Sequence, residues 1–271
     1  MRFDLQDQRL GKGAFGFVVE ARDRKTRKTV ACKKQSTSNR YEYRVLLSLS
    51  NSKAAGVVPE PLSYKEESDG SSLLFMDKMD KDLGQLAREV DVQNDFRLLL
   101  SIAVNLFKSL QKVHDSGWLH RDIKPGNIML RDGSGKVYLV DFGMAKKYRS
   151  KSGGQHIPFV SKKKTVVGTA KYLSLWGHRH QQQSRRDDCA SAMYTLAQIA
   201  NGRLPWAKGS SKKPRMEEVH RKKRETSPED LFGGLPQSFA RVCRMIHSLG
   251  FYERPAYGTY IRMFVQDMQK L

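Results

Sequence analysis

An α+β fold, rich in β-strands first and helical afterwards in a two-lobe pattern, is the class this sequence predicts, and three observations predict it. Up to Asp77, short runs of β-favouring residues alternate with polar turns; beyond Phe96, apolar residues recur at helical spacing. The chain is 271 residues long and 39% hydrophobic, enough for one large domain or two lobes. No long repeat divides it, and its Gly/Ser-rich pieces are too short to be linkers.

The elements follow in chain order. "GKGAFGFVVE" carries Gly11-x-Gly13-x-x-Gly16, a spacing that fits a dinucleotide fold, a kinase glycine loop or an ordinary hairpin. A dinucleotide loop runs from a strand into a helix, whereas this one runs into the strand of Phe17, Val18, Val19 and Ala21. The polar turn "RDRKTRK" and the apolar run "TVACKK" complete strand, glycine turn, strand, turn, strand. Glycines in such a turn let backbone N–H groups close over a triphosphate, with Phe15 at the tip as a shield from water. "NRYEYRVLLSLS" predicts a short amphipathic helix with Tyr41, Val45, Leu46 and Leu49 on its core face and Glu42 beside it.

"SLLFMDKM" reads as a buried strand, and "DFRLLLSIAVNLFKSLQKVH" as a core helix through Phe96, Leu99, Leu100, Ala103, Phe107 and Leu110. "IMLRDGSGKVYLV" predicts two short strands around an Asp-Gly-Ser-Gly turn. "DDCASAMYTLAQIANG" predicts a buried helix with aspartate at its N-terminal end and Gly202 at its C-terminal end.

Three separated cysteines with no CxxC pair indicate neither a disulfide framework nor a zinc site. No secretory core and no run of roughly 18 apolar residues is present, so the expectation is a soluble intracellular protein without membrane contact, cytoplasmic and with the nucleus open to it. The net charge of +21 attracts phosphates and acidic segments. It gathers in "KKYRSKSGG", "SKKKT" and "KGSSKKPRMEEVHRKKR". The richest basic run, 208–224, lacks the interleaved aromatics that stack nucleic-acid bases, which leaves only nonspecific nucleic-acid contact.

The chemistry is concentrated in "HRDIKPGN" at 120–127 and "DFG" at 141–143. Phosphoryl transfer needs a carboxylate that orients the attacking hydroxyl, an amide and a second carboxylate for magnesium, and a lysine near the moving phosphate. Asp122, Lys124, Asn127 and Asp141 supply these in order. Taken singly, a strand lysine is usually an edge charge, an Asp-Gly a turn and Asp188 a helix cap. Their joint occurrence argues otherwise.

On "GKGAFGFV", "VACK", "HRDIKPGN" and "DFG" the chain resembles the eukaryotic protein kinases across nearly its full length. The resemblance implies one kinase domain over 1–271, with an N-lobe at 1–76, a hinge at 77–79 and a C-lobe at 80–271. It implies ATP and Mg2+ as cofactors, held at Gly11, Gly13, Ala14, Phe15, Gly16, Val18, Ala31, Lys33, Met76, Asp77 and Met79, with Asn127 and Asp141 on the metal. Lys33 would hold the α- and β-phosphates and pair with Glu42, only nine positions on. Asp122 would be the base, Lys124 the γ-phosphate contact, and Thr169 of "GTAKY" the bridge between them. Met76 becomes the gatekeeper and Asp77 to Met79 the backbone that meets adenine. Lysine two places after the base resembles the serine/threonine class.

Where most kinases carry Ala-Pro-Glu, this chain has "SLW" at 174–176. The casein kinase 1 superfamily also lacks that motif, and the chain resembles it in "DFGMAKKYR", "QHIPF", "GTAKYLS", "QSRRDD", "LPW" and "LGFYERPAYGTYIRMF", with the vaccinia-related kinase branch as a neighbour. The resemblance implies a monomeric serine/threonine kinase acting on acidic or already phosphorylated protein segments. Arg185 and Arg186 match the family's anion site, with Lys171 and one of Lys213 or Arg215 as additions. The competing class is binding without catalysis, as a kinase-like scaffold or a basic nucleic-acid-binding protein. The scaffold reading needs a missing catalytic residue, and none is missing.

Overall fold

The computed structural model describes residues 2–12, 16–131, 135–149, 154–207 and 215–271. Gly13, Ala14, Phe15 and Lys213, all named above, lie outside the described residues. Strands β1 (Phe3–Lys12), β2 (Gly16–Asp23) and β3 (Thr29–Gln35) run as an antiparallel meander into helix α1 (Arg40–Ser50). β4 (Pro61–Glu66) and β5 (Ser72–Asp77) complete a five-stranded sheet in the order β1-β2-β3-β5-β4.

Alternation along β3 and β5 gives this sheet two working faces. Val30 and Cys32 of β3 join Leu73 and Phe75 of β5 in a small outer cluster, where Phe3 stacks on Phe75 at 4.2 Å. The intervening Ala31, Leu74 and Met76 face the main core with α1. Lys33 is on that same inner face, opposite Val18 on one side and Leu74 on the other. A strand lysine is thereby aimed into the protein instead of at solvent.

Helix α1 is rotated slightly from its expected setting. Val45, Leu46 and Leu49 are buried as predicted, but Tyr41 is 51% exposed and Glu42 only 2%. The Tyr41 hydroxyl donates to the Ala145 carbonyl at 2.9 Å, while Glu42 shares the buried face of Val45, Leu46 and Leu49 by helical spacing.

The rest is mainly helical. β6 (Lys81–Asp82) leads into α2 (Leu83–Glu89), and α3 (Phe96–Asp115) starts where the Asp95 carboxylate accepts the Leu98 N–H at 2.9 Å. Leu99, Leu100, Ala103, Phe107 and Leu110 of α3 are buried; Phe96, expected with them, is half-buried outside the core because it stands in the first turn. β7 (Trp118–Leu119), β8 (Ile128–Leu130), β9 (Val137–Leu139) and β10 (Lys146–Lys147) form two small sheets, β10-β7 and β6-β8-β9. α4 (Leu175–His178) precedes the buried α5 (Arg185–Asn201).

α5 begins two residues earlier than the aspartates suggested. Ser184 precedes it, and Asp187 lies in the first turn, where its carboxylate accepts the Ser184 N–H at 2.7 Å. Gly202, at φ 70°, ends it in the left-handed conformation that suits glycine. α6 (Met216–Glu225), α7 (Pro228–Leu231), α8 (Gln237–His247) and α9 (Tyr257–Gln269) complete the helical part, with α3 packed on α5 and α9. Each Leu, Ile or Phe in this interior contributes about 1.5–3 kcal/mol by burial. Among the described residues no helix is long and apolar enough to cross a membrane.

Candidate active site

Residues 120–127 leave β7 as an irregular loop, and one buried carboxylate organises its start. Asp188 of α5 accepts the His120 N–H at 2.7 Å and the Arg121 N–H at 2.8 Å. The same carboxylate bonds His114 Nε2 of α3 at 2.9 Å, and His114 Nδ1 in turn meets the Tyr257 hydroxyl of α9. Burial by itself raises a carboxyl pKa, but the hydrogen bond and charge of His114, with those of His120, hold Asp188 below the usual range. Asp188, taken alone a helix cap but by the kinase resemblance a support for this loop from the buried helix, thus fixes the loop, including Arg121 at φ 69°.

Asp122 is held on both oxygens. Its Oδ1 accepts the Thr169 N–H at 2.9 Å and the Thr169 hydroxyl at 2.7 Å. Its Oδ2 accepts Lys124 Nζ at 2.6 Å and Asn127 Nδ2 at 3.2 Å, and Lys124 also reaches Thr169 Oγ1 at 3.3 Å. Gly168 lets Thr169 come this close: at φ 106°, any Cβ there would stand 2.6 Å from the Arg121 carbonyl oxygen.

A second cluster faces the first. Lys33 Nζ stands 2.7 Å from Glu42 Oε2 and 2.8 Å from Asp141 Oδ1. The four-residue connection from β3 to α1 is therefore long enough for the pair. Glu42 Oε1 also accepts the Phe142 N–H at 3.2 Å, and the buried Phe142 ring lies 4.7 Å from His120. Burial lowers a lysine, but the charges of Glu42 and Asp141 outweigh it and raise Lys33. Burial likewise raises a carboxyl, yet Lys33 first, then His120 and Lys124, keep Asp141 low. Asp141 itself sits at φ 65°, a left-handed setting that is uncommon outside glycine.

Between sheet and helices, Ala31 pairs across the strands with Met76, and both are buried. The Asp77 N–H is taken by the Glu60 carbonyl and the Asp80 N–H by that of Leu130, which fixes the backbone on both sides of Met79. Gly11 on β1 is exposed and pairs with Val18 of β2, which is partly buried against the main core. Gly16 answers to a different demand from the one its spacing suggested: a Cβ there would stand 1.9 Å from the Lys34 carbonyl oxygen, so close strand pairing alone requires glycine.

The protein kinase domain family matches residues 5–249. The chain belongs to the protein kinase family. Over 97% of its length it is 30% identical to the casein kinase I homolog RAG8 of Kluyveromyces lactis. It is 31% identical to casein kinase I homolog 2 and 30% to casein kinase I homolog 1 of Saccharomyces cerevisiae over the same share. The chain spans about half the length of these relatives, covering 50% of each. Sheet and α1 are the smaller lobe of this kinase fold, and the helical part the larger.

The two arginines expected at the anion site are turned inward, with Arg186 Nε 3.9 Å from Asp187 Oδ2. Arg185 and Arg186 are both 6% exposed, facing inward from α5. Arg185 donates to the Tyr252 carbonyl at 2.6 Å and lies 5.0 Å from the Tyr148 ring centre. Arg186 donates to the Leu249 carbonyl at 2.8 Å and lies 4.0 Å over Trp176. Carbonyls and rings use these cations to tie α5 to the segment after α8. Lys171 is half-exposed with its ammonium 5.5 Å from the Tyr172 ring centre, and Arg215 is exposed.

A different basic group gathers around Arg121, the residue before Asp122, which the sequence reading missed. Arg121 and Lys163 line one small cleft with Thr165 and Gln181; burial first, then the charges of Lys163 and Arg121, lower Lys146, burial and Arg121 lower Lys163, and burial lowers Arg121 against the opposing charge of Asp188. Arg121 Nε is fixed by the Met144 carbonyl at 2.7 Å, and Lys146 Nζ meets Gln182 Oε1 at 3.2 Å. Cations crowded together in this way suit an anion. Two of them stand next to signatures already quoted, Arg121 inside "HRD" and Lys146 just after "DFG", so a signal was present.

Proposed function

We propose that this kinase domain transfers the γ-phosphate of ATP to serine or threonine hydroxyls in acidic or already phosphorylated protein segments, as the casein kinase 1 resemblance implies. The observation that carries the reading is the fixed carboxylate of Asp122, with Thr169 on one oxygen and Lys124 and Asn127 on the other. A carboxylate held this way can orient a hydroxyl and accept its proton as the O–P bond forms. Lys124, 2.6 Å away, puts positive charge beside that position.

The donor set fits a magnesium nucleotide. Asp141 and Asn127 offer hard oxygen donors, and Asn127 turns its NH2 toward Asp122, so its carbonyl oxygen is the end left for a metal. When bound, Mg-ATP supplies the phosphoryl group and the metal that neutralises its oxygens. Lys33, held by Glu42 and Asp141, orients the phosphates, and the inner face of Ala31 and Met76 offers an apolar wall to the adenine ring. Arg121, Lys146 and Lys163 support the acidic-substrate part of the reading, because their mutual repulsion is relieved by a phosphate or carboxylate.

The test is radiolabelled phosphate transfer from Mg-ATP to casein. Asp122→Asn and Asp141→Asn are each expected to abolish transfer while far-ultraviolet circular dichroism stays native. Wild-type turnover in either variant overturns the corresponding assignment.

A further inference from the structure

Lys223 is a buried lysine that the reading above does not use. It sits on α6, far along the chain from the base, and is 3% exposed. Among the described residues it enters no ion pair. Its ammonium group donates instead to the backbone carbonyls of Leu173 at 2.6 Å and Ala170 at 3.0 Å, and meets His178 Nε2 at 3.2 Å. The rings of Tyr194 and Trp206 lie 4.8 and 5.1 Å from Nζ. Burial drives its amine well below the ordinary lysine range. Burying a lysine without a carboxylate is costly, so a site that does so needs a return elsewhere.

The two carbonyls belong to the turn that carries Thr169. Inside that turn the Thr169 carbonyl accepts the N–H groups of Tyr172 and Leu173 at 2.9 and 3.0 Å. On one side Gly168 lies against the Arg121 carbonyl of the catalytic loop. On the other, Lys223 takes the carbonyls of Ala170 and Leu173 while Trp206 Nε1 donates to that of Lys171 at 2.8 Å. The turn is clamped between the catalytic loop and the helical lobe.

From this clamp we infer that Lys223 is a positioning residue for phosphoryl transfer: it fixes the 169–173 turn, and through Thr169 the orientation of the Asp122 carboxylate. The inference rests on the reading of Asp122 as the base. Trp206 is the second arm of the same device.

Steady-state kinetics of the full chain test it, with Lys223→Met, Lys223→Arg, Thr169→Ala, the Lys223→Met/Thr169→Ala double variant and Trp206→Phe. Lys223→Met is expected to lower kcat roughly ten- to hundredfold, as misplacement at a distance does, with KM for ATP unchanged. Lys223→Arg, which restores donors to the carbonyls, is expected to recover most of that loss. The double variant is expected to be no slower than the slower single one, because both changes loosen one path. Wild-type kcat in folded Lys223→Met, or losses that multiply in the double variant, overturns the inference. Should Lys223→Met fail to fold, Trp206→Phe decides: a several-fold fall in kcat at constant KM for ATP supports the clamp, and wild-type kcat refutes it. Asp122→Asn run alongside separates the two readings. Activity surviving there overturns the base assignment, whereas its loss there with wild-type kcat in Lys223→Met removes only the role of Lys223.

Discussion

Replacing Asp188 by asparagine puts a number on how firmly the helical lobe holds the catalytic loop. The native carboxylate accepts three hydrogen bonds, from His120 N–H, Arg121 N–H and His114 Nε2, in a fully buried place. Asparagine keeps one oxygen, enough for Arg121, and turns an NH2 toward the His120 N–H and His114. Two bonds to a charged acceptor are then lost, each worth about 1.5–3 kcal/mol, for a total of about 3–6 kcal/mol. That is a large part of the roughly 5–15 kcal/mol that holds a domain together. Urea unfolding followed by tryptophan fluorescence reads it as a lower midpoint at constant slope. A loss below about 1 kcal/mol refutes the claim that Asp188 anchors the loop. The pH dependence has a definite sign: with its folded pKa depressed, Asp188 contributes fully above its ordinary value near 3.9 and loses that contribution as pH falls further. The gap between wild type and Asp188→Asn is therefore constant from neutral pH down to about 4 and closes below it.

Lys33→Met should cut turnover roughly a hundredfold or more while weakening nucleotide binding far less, since charge placed for the transition state is what it removes; equal losses in fluorescence-titrated affinity and in kcat contradict this. Glu42→Gln, which keeps the shape but not the charge beside Lys33, should show the same defect more mildly. Gly168→Ala forces a side chain to φ 106° and into the Arg121 carbonyl, so thermal unfolding should show a loss above about 1 kcal/mol together with lower kcat. Arg186→Ala should destabilise the fold by about 1–3 kcal/mol and leave the preference for a phosphorylated over an unphosphorylated peptide unchanged, whereas the Lys146→Ala/Lys163→Ala pair should erode that preference and leave stability near wild type. The opposite pattern restores Arg186 to the anion site.

What could be read in the sequence was local. Asp122, Lys124, Asn127 and Asp141 lie in two short signatures whose loops bring them together over few residues, and Lys33 follows from the resemblance carried by "VACK" in β3. The departures come from distant contacts. Arg185 and Arg186, beside two aspartates at a helix start, look like surface charge; only Tyr148, Trp176 and the stretch at Leu249–Tyr252, from three separate segments, make them interior residues. Lys223 lies in the most basic run of the chain and carries no local mark that separates it from its solvated neighbours. Glu42, Val45, Leu46 and Leu49 share the buried face of α1 at i, i+3, i+4 and i+7, and Tyr41, one residue before Glu42, falls at its edge, where its hydroxyl meets the Ala145 carbonyl. Gly16 had the right identity for a reason that composition cannot reveal, the nearness of the Lys34 carbonyl.

The short leash between β3 and α1 has a mechanical consequence. Only Ser36 to Asn39 connect the two, and they are stitched to the neighbouring strand: the Ser72 hydroxyl donates to the Thr37 carbonyl at 2.7 Å and accepts the Asn39 N–H at 3.1 Å. Four residues reach at most about 14 Å when fully drawn out, and these are already spent on those bonds. α1 therefore has no slack with which to swing away while the sheet stays still. A translation of α1 away from the sheet that parts Glu42 from Lys33 has to break the Ser72 stitches or carry β3 and β5 with it, which couples the helix to the sheet.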